Sequence, residues 1–398
     1  MNPSPLSRRR LLGAAALALP GLRAEPRKVR IGIVGGRFGA TFHWHLDPGC
    51  TVEAVCDIDE KARQHLSQTY RCGTTYADFD SMLRHPGLDA VAIFTPATLH
   101  AAQAVAAFKA GKHVISAVPV GLTVDELEQV LHAVKSSGLR YMMAETSYYR
   151  PAVIHCRELA AQGAFGTIFY AESEYHHEGL LKLMYDASGK PTWRLGLPPM
   201  LYPTHCTGML VPVMGERLSE VTAVGWGDGH EALNNNPYKN PFWNETAFFK
   251  TAKGHAARVS ICWHVAAGEA ERGQFLGDRM SFFMERPEGA PDTTIRIASK
   301  GRTELDSNGY PKGEIEIART ALTPYLERLP EPMRVKSGHG GSHTFLTHEF
   351  ISAVQENRNP SVDIYEAIAY TLPGIVAHAS ALRGGATMKI RDYGKASA

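Results

Sequence analysis

Beyond its N-terminus, the chain lacks any hydrophobic run long enough to span a bilayer, and it shows no internal repeat, heptad pattern or low-complexity tail. These absences argue against membrane-spanning, coiled-coil and repeat proteins. Charge of one sign is also lacking, because 42 basic and 40 acidic side chains leave a formal charge of +2. This balance argues against nucleic acid or an anionic membrane as the partner. None of the six cysteines forms a closely spaced metal-type pair, and most are predicted to be buried thiols.

Residues 1–24 differ from the rest of the chain, because they contain four arginines and no acid. Residues 8–10 are all arginine and precede a short apolar run over 11–19, and residues 22–24 form a candidate cleavage site. A basic region before a short apolar one is typical of a secretory signal, and paired arginines favour the twin-arginine route. We expect a periplasmic or otherwise exported protein with a formal charge of −2; the alternative is a basic amphipathic or disordered tail.

At 398 residues, the chain is long enough for two domains. Strand and helix patterns alternate over 27–147, which predicts a doubly wound parallel sheet of the Rossmann type. Over 148–398, longer alternating runs predict an α+β domain with a large, mostly antiparallel sheet, with helices near the end of the chain. The predicted fold class is therefore α/β. A sheet with one open face needs cover, so we expect a homo-oligomer.

A glycine-rich turn over 35–39 follows the apolar strand predicted over 29–34, and Asp57 ends the next strand 22 residues after Gly35. In dinucleotide sites, such glycines let the backbone approach the pyrophosphate, the next helix (here predicted over 38–46) offers N–H groups, and an acid binds the ribose. The acid favours NAD over NADP. An ordinary βα turn is the alternative. The candidate cofactor residues from this pattern are Gly35, Gly36, Arg37, Phe38, Gly39 and Asp57.

Arg37 stands where a second glycine is usual, and it is a candidate contact of the pyrophosphate. Two further segments, Thr95-Pro96 followed by His100 and residues 111–114 followed by Pro119, together with the turn, resemble the Gfo/Idh/MocA oxidoreductases. These are two-domain, sugar-active NAD(P) proteins, and the resemblance covers about 28–383. It implies that the cofactor site also includes Thr95, Pro96, His100, Val118 and Pro119.

One departure from this family concerns proton transfer. The family usually has Glu-Lys-Pro after the fifth strand, and its lysine helps to move the substrate proton. Here residues 117–119 are Ala-Val-Pro, and Val118 carries no group that donates or accepts a proton. Either the acid–base role lies elsewhere, or the protein is a retired dinucleotide-binding sensor or regulatory protein.

The segments Trp193-Arg194 and Tyr202-Pro203-Thr204-His205 resemble the NAD-dependent glycoside hydrolases of family 109. In that branch, NAD removes a hydride from the sugar C3, the ketone acidifies the C2 proton, the aglycone leaves, water adds and the hydride returns. A histidine and a tyrosine are thought to act as acid and base, which implies His205 and Tyr149 as catalytic residues. This chain lacks the Glu of the Glu-Val-Pro and the Gly-Leu-Gly after the histidine that the branch has. Net oxidation or reduction of a sugar therefore stays open.

His205 is a sensible acid–base candidate on its own terms, because a histidine titrates near neutral pH. The alternative for His205 is a structural histidine. The alternative for Tyr149 is a core aromatic residue. Trp193, Arg194, Tyr202 and His177 are candidate sugar contacts. No metal site is expected, since the adjacent His176 and His177 point to opposite faces of a strand. The glycine-rich loop over 338–343 either closes over the substrate or is a surface turn.

Overall fold

The computed structural model describes residues 27–177, 180–265, 270–286, 291–297, 307–309, 315–319, 322 and 325–396. The leader predicted over 1–24 lies outside these residues, as does Glu178 at the end of the two-histidine segment. Among the described residues, no helix combines the length and apolar character needed to cross a membrane. All six cysteines are free thiols, and all but Cys262 are buried, as predicted.

The N-terminal part forms a six-stranded, entirely parallel sheet in the order β3-β2-β1-β4-β5-β6. Its strands are β1 (Val29–Val34), β2 (Cys50–Cys56), β3 (Thr75–Tyr76), β4 (Ala90–Ile93), β5 (His113–Ser116) and β6 (Tyr141–Met143). Its helices are α1 (Glu60–Tyr70), α2 (Phe79–Leu83), α3 (Ala97–Lys109) and α4 (Val124–Ser137). The predicted Rossmann fold is confirmed. The strand order reverses between β1 and β4, which is where such sheets bind dinucleotides.

Local sequence explains these elements. β4 is buried along its whole length, as expected of a strand covered on both faces. Thr123 and Glu126 form a capping box at the start of α4, and Gly138, with φ +66°, ends that helix. Signals of this kind determine where the helices and strands begin and end. The site lies at the turns that join them.

The helix predicted over 38–46 is wrong. The chain forms two short 3-10 helices instead, Phe38–Thr41 and Trp44–Leu46. His43 lies between them in the left-handed conformation, with φ +57°, and interrupts any continuous helix. Phe42 and Trp44 are fully buried on either side of it, so packing of these rings determines the path. No long helix therefore presents its N-terminus behind the glycine turn.

The C-terminal part contains a nine-stranded sheet in the order β14-β13-β12-β11-β7-β10-β9-β8-β15. Its strands are β7 (Ile168–His176), β8 (Leu218–Trp226), β9 (Asn244–Thr251), β10 (Ala256–Cys262), β11 (Ala270–Gly277), β12 (Met280–Phe283), β13 (Thr293–Ile297), β14 (Ile315–Arg319) and β15 (Met388–Lys389). Its helices are α5 (Pro151–Ala161), α6 (Thr204–Met214), α7 (Glu231–Asn234), α8 (Gly338–Gln355) and α9 (Ile364–Ala381). Among the described strands of this sheet, only β7 and β10 pair in parallel, so the large, mostly antiparallel sheet is confirmed.

The two faces of this sheet differ. Helices α6 and α9 pack on one face, against β7 and β8. On β8 and β9 the other face exposes the large apolar side chains of Val224, Trp226 and Phe248. The site described below lies on the helix-covered side, because α6 carries His205.

Candidate functional site

The glycine turn joins the end of β1 to the first 3-10 helix and leaves no room for side chains. A Cβ on Gly35 would lie 2.3 Å from the carbonyl oxygen of Phe94, and Gly35 has φ +101°. A Cβ on Gly36 would lie 2.3 Å from the carbonyl oxygen of Ala62. The turn is therefore drawn tightly onto β4 and α1, while the side chain of Arg37 remains exposed. This arrangement is the one that a pyrophosphate requires of a backbone cradle.

Asp57 follows β2 and closes the same corner of the sheet. One of its carboxylate oxygens accepts the N–H of Gly36 at 2.6 Å, and the other accepts the N–H of Asp59 at 2.8 Å. The carboxylate is thus fixed beside the glycine turn, as an acid that binds a ribose must be. The observed residues fit NAD, with the glycine turn for the pyrophosphate and Asp57 for the ribose.

His100 is buried, and both of its ring nitrogens face backbone carbonyl oxygens. Nδ1 lies 2.8 Å from the oxygen of Pro119, and Nε2 lies 2.8 Å from the oxygen of Thr95. Burial lowers the pKa of His100 below its usual value. The ring joins the turn that begins α3 to the turn after β5, and with 1% of its surface exposed it offers no free edge to a ligand. Its geometry is that of a positioning residue for Thr95, Pro96 and Pro119.

Val118 lies in the turn after β5, and it is buried and apolar. The next strand of the sheet is β6, whose residue Met143 pairs with Ser116. The turn after β6 therefore lies at the same edge as the turn after β5, and it carries Glu145, which is fully buried. A carboxylate thus stands next to the place where the family's lysine is missing.

Glu145 accepts a hydrogen bond from His205. The distance from His205 Nδ1 to Glu145 Oε1 is 2.9 Å, and His205 is 6% exposed. The same carboxylate oxygen accepts the N–H of Ser147 at 2.8 Å. A carboxylate at Nδ1 holds the proton there and leaves Nε2 as the basic nitrogen, which is the arrangement of an oriented histidine base.

The charges of this pair support each other. Burial opposes the ionised form of Glu145, but the attraction and hydrogen bond of His205 outweigh it and lower the pKa of Glu145. Burial likewise opposes the charged form of His205, but Glu145 outweighs it and raises the pKa of His205. An imidazole so placed can both accept a proton and return it.

A second buried carboxylate, Glu271 on β11, completes the charged cluster. It pairs with Arg150 through two hydrogen bonds, one of them 2.6 Å from Arg150 Nε to Glu271 Oε1. Ser147 Oγ donates to Glu271 and lies 3.3 Å from His205 Nδ1. Burial would raise the pKa of Glu271, but Arg150 and His205 hold it down at about 2. Both carboxylates are therefore ionised, and Ser147 and His205 connect them.

Tyr149, predicted from the sequence as the second catalytic residue, is a core aromatic. Its ring stacks on Phe345 at 5.5 Å between centroids and is 9% exposed. Its hydroxyl lies near Ser361 and Glu349, and burial raises its pKa far above the usual value. Arg150, which could have favoured a tyrosinate, is paired with Glu271 instead. This packing favours the alternative of a core aromatic over a catalytic role for Tyr149.

Two other tyrosines contact His205. The ring centroid of Tyr175, near the end of β7, lies 4.7 Å from that of His205, and the centroid of Tyr202 lies 5.4 Å from it. Tyr202 was predicted as a substrate contact, and it stands in this aromatic group. Tyr175 was not predicted from the sequence, although it lies two residues before His177, a predicted sugar contact. The tyrosine that the structure places beside the imidazole is therefore Tyr175.

The other candidate sugar contacts lie around this group. The guanidinium of Arg194 covers one face of Trp193 at 4.2 Å from the ring centroid, so that face is not open for a sugar to stack on. Arg194 also acts electrostatically on the partly buried Tyr202. The rings of His177 and Tyr175 are 5.9 Å apart and perpendicular. Within the described residues, no group of three potential ligands could hold a metal ion.

Two family models match separate parts of this chain. Residues 29–145 match the model of the GFO_IDH_MocA oxidoreductase family, an NAD-binding Rossmann fold, and residues 323–398 match that of the glycosyl hydrolase 109 C-terminal domain. Over 97% of both chains, the protein is 24% identical to a glycosyl hydrolase family 109 protein of Solibacter usitatus (strain Ellin6076).

Solved structures share the whole fold. An oxidoreductase domain protein from Kribbella flavida superposes with a TM-score of 0.75 at 19% identity, covering 92% of this chain and 100% of the other. Levoglucosan dehydrogenase, in a complex with NADH and levoglucosan, does so with a TM-score of 0.74 at 20% identity and the same coverage. The chain is thus similar over residues 29–145 to the NAD-binding Rossmann domain of the Gfo/Idh/MocA oxidoreductases and over residues 323–398 to the C-terminal domain of glycosyl hydrolase family 109.

Proposed function

We propose that this protein is an NAD-retaining glycosidase, which cleaves a glycoside through transient oxidation of a sugar carbinol carbon without net redox change. The observation that carries the proposal is the buried pair of Glu145 and His205, in which Glu145 follows β6 at the same edge of the sheet as Val118. A proton-transfer group is therefore present at the edge of the sheet where the family's lysine is absent, so the site is equipped for acid–base chemistry. The family 109 relative and the match over 323–398 support a glycoside over a free sugar.

Bound NAD supplies a reversible hydride acceptor at the carbinol carbon. The protein's own residues then move the protons. With Nδ1–H donated to Glu145, the Nε2 of His205 takes a proton from the sugar, and the raised pKa of His205 lets the imidazolium persist until the proton is returned. Tyr175 lies against the same ring and is the proposed second acid–base group, in place of Tyr149.

The remaining residues of the site orient the sugar. Tyr202 lies 5.4 Å from the imidazole of His205 between ring centroids, and Arg194 acts electrostatically on Tyr202. Their N–H and O–H groups suit the hydroxyls of a sugar. A retired sensor would not need a buried, fully connected acid–base cluster, whose desolvation costs several kcal/mol.

The test is to purify the protein without added cofactor, record the absorbance of bound NAD(H), and then supply a panel of aryl glycosides and free sugars. Release of the aryl alcohol without accumulating NADH is the expected result. Accumulation of NADH with a free sugar would replace the proposal by a net sugar oxidoreductase. Cofactor binding with no turnover on any member of a broad panel would favour the sensor.

We also propose that the protein is exported with its cofactor bound. The basis is the arginine-rich leader over residues 1–24, and the outcome that it predicts is a periplasmic enzyme. Replacing Arg8, Arg9 and Arg10 by lysine preserves the charge and should leave the protein in the cytoplasm. Export of this variant at the wild-type level would exclude the twin-arginine route.

A homo-oligomer is proposed from the exposed face of the nine-stranded sheet. Val224, Trp226 and Phe248 are each about half exposed there, on neighbouring strands. Burying such a patch in a second copy removes its apolar area from water. Light scattering should show a multimer for the wild type and a smaller species for Phe248→Glu. A monomeric wild type would contradict this proposal and leave the enzymatic one intact.

A further inference from the structure

The loop predicted over 338–343 lies against the glycine turn. The ring of Phe38 contacts the rings of both His339 and His343, at 5.9 and 5.4 Å between centroids. His343 also stacks on Phe42 at 4.5 Å with nearly parallel rings. We call residues 338–343 the strap. The strap therefore rests on the segment that follows the pyrophosphate turn.

The strap is held in an unusual conformation. His339, Gly340 and Gly341 have φ values of +50°, +70° and +100°, so three consecutive residues are left-handed. For a histidine this conformation costs on the order of 1 kcal/mol, and such strain gathers at functional positions. A Cβ on Gly338 would lie 2.4 Å from Cε1 of His343, which shows how closely the strap folds onto that ring.

A chain of hydrogen bonds fixes the tautomers of the two histidines. The carbonyl oxygen of Thr41 lies 3.1 Å from His343 Nδ1, and a carbonyl can only accept, so this nitrogen carries a proton. Burial lowers the pKa of His343 to about 3, so its Nε2 carries none. That Nε2 lies 2.8 Å from His339 Nδ1 and must accept from it.

His339 is left with one free position. Its Nδ1–H is used by His343, and burial lowers its own pKa, so its Nε2 is an unprotonated acceptor at neutral pH. The residue keeps part of its surface exposed, unlike the buried His343. The charges of His205, Glu271, Arg150 and Glu145 act on the pKa of His339, and its ring contacts Phe38 just after the glycine turn.

We infer that His339 binds the cofactor, its Nε2 accepting a hydrogen bond from a ribose hydroxyl of NAD, and that the strap thereby slows NAD release. The acceptor matches a hydroxyl donor and rejects another acceptor such as phosphate. Its seat against Phe38 places it over the dinucleotide turn. The inference depends on NAD binding alone and holds whether or not the protein cleaves glycosides.

The test measures NAD release. Wild-type protein carrying NAD is mixed with ethanol and excess alcohol dehydrogenase, which converts each released NAD to NADH, read at 340 nm. His339→Ala should release NAD about three- to tenfold faster, the loss of one hydrogen bond. His339→Gln, whose amide oxygen accepts, should restore much of the retention. His132→Ala, an exposed histidine on α4, is the matched control and should be unchanged.

Two results would overturn the inference. One is an unchanged NAD release rate for His339→Ala. The other is an effect of this variant only on the KM for an aryl glycoside, which would assign the acceptor to a sugar hydroxyl instead. Because NAD release is measured without any glycoside, failure here leaves the proposed glycosidase untouched. A folded, NAD-loaded protein without glycosidase activity would equally leave the role of His339 intact.

Discussion

The two sides of the site differ in the groups that form them, because one consists of backbone and the other of charged side chains. The cofactor side consists of backbone, a glycine turn pressed onto Phe94 and Ala62 with Asp57 holding one of its N–H groups. The other side consists of buried ionised side chains, with Glu145 on His205 and Glu271 on Arg150. Backbone sites are sensitive to shape, whereas charged clusters are sensitive to the loss of a single partner. Substitutions on the two sides should therefore separate cofactor binding from turnover.

The largest expected effect comes from the charged side. His205→Ala should lower kcat by about 10³-fold, since one general acid–base group contributes roughly 10²–10⁴. Bound NAD should remain, because His205 lies outside the glycine turn. Absorbance of the purified variant and aryl alcohol release measure the two quantities. His132→Ala is the control, and loss of NAD from His205→Ala would show that the two sides are not separable.

Glu145→Gln should have the next largest effect, about 10- to 100-fold, and should also move the pH profile. In the wild type, the raised pKa of His205 means that its basic form prevails only above pH 6.5, and kcat/KM falls as the pH drops through that pKa. With the carboxylate replaced, the largest effect that raises the pKa of His205 is lost, and burial and Arg150 lower that pKa against the remaining attraction of Glu271. The acid limb should therefore shift to lower pH. If the acid limb of the Glu145→Gln variant stays at the wild-type pH, Glu145 is not part of the proton-transfer pair.

On the backbone side, Gly35→Ala should weaken NAD binding by about tenfold and lower the melting temperature. The added Cβ meets the Phe94 carbonyl at 2.3 Å and needs a φ that costs on the order of 1 kcal/mol. Gly111→Ala shares the positive φ, +73°, but has open space around it. Calorimetry should show a larger loss of NAD affinity for Gly35→Ala. Equal effects would assign the cost to φ alone.

The smallest effect is expected from Tyr149→Phe, within about threefold of wild-type kcat, because its hydroxyl lies near Ser361 and Glu349 and its ring is packed on Phe345. Tyr175→Phe is its matched partner, with the same deletion of one oxygen. It should lower kcat by about 10²-fold if Tyr175 transfers a proton. Steady-state rates with one aryl glycoside compare them. The opposite order would return the catalytic role to Tyr149.

The difference between the backbone side and the charged side also explains which parts of the fold and the site could be predicted from the sequence. The parallel sheet and the turn with Asp57 follow from local patterns, buried runs and glycines at fixed spacing. Helix α6 gives no such signal: it is buried almost all round, and it contains Gly208 and Pro212, so its apolar residues show no helical period.

The charged cluster was missed for a related reason. Glu145 and Ser147 come from the segment after β6 and Glu271 comes from β11, and only the fold brings them to His205. The first residues of β11 are polar, so the sequence does not indicate a strand there. Glu271 is buried by its ion pair with Arg150 and not by apolar neighbours. The orientation of Tyr149 likewise depends on Phe345, far along the chain. Tyr175 could have been predicted from the sequence, since it directly precedes His176 and His177.

The central claim is that the site cleaves a glycoside by transient oxidation with proton transfer by His205. The most direct measurement is turnover of an aryl glycoside in D₂O, with the sugar product examined by NMR and NADH followed at 340 nm. Transient oxidation at C3 acidifies the C2 proton, so the account predicts deuterium at C2 of each product molecule and no accumulated NADH. Product that keeps its C2 proton, or NADH formed in step with product, would contradict it.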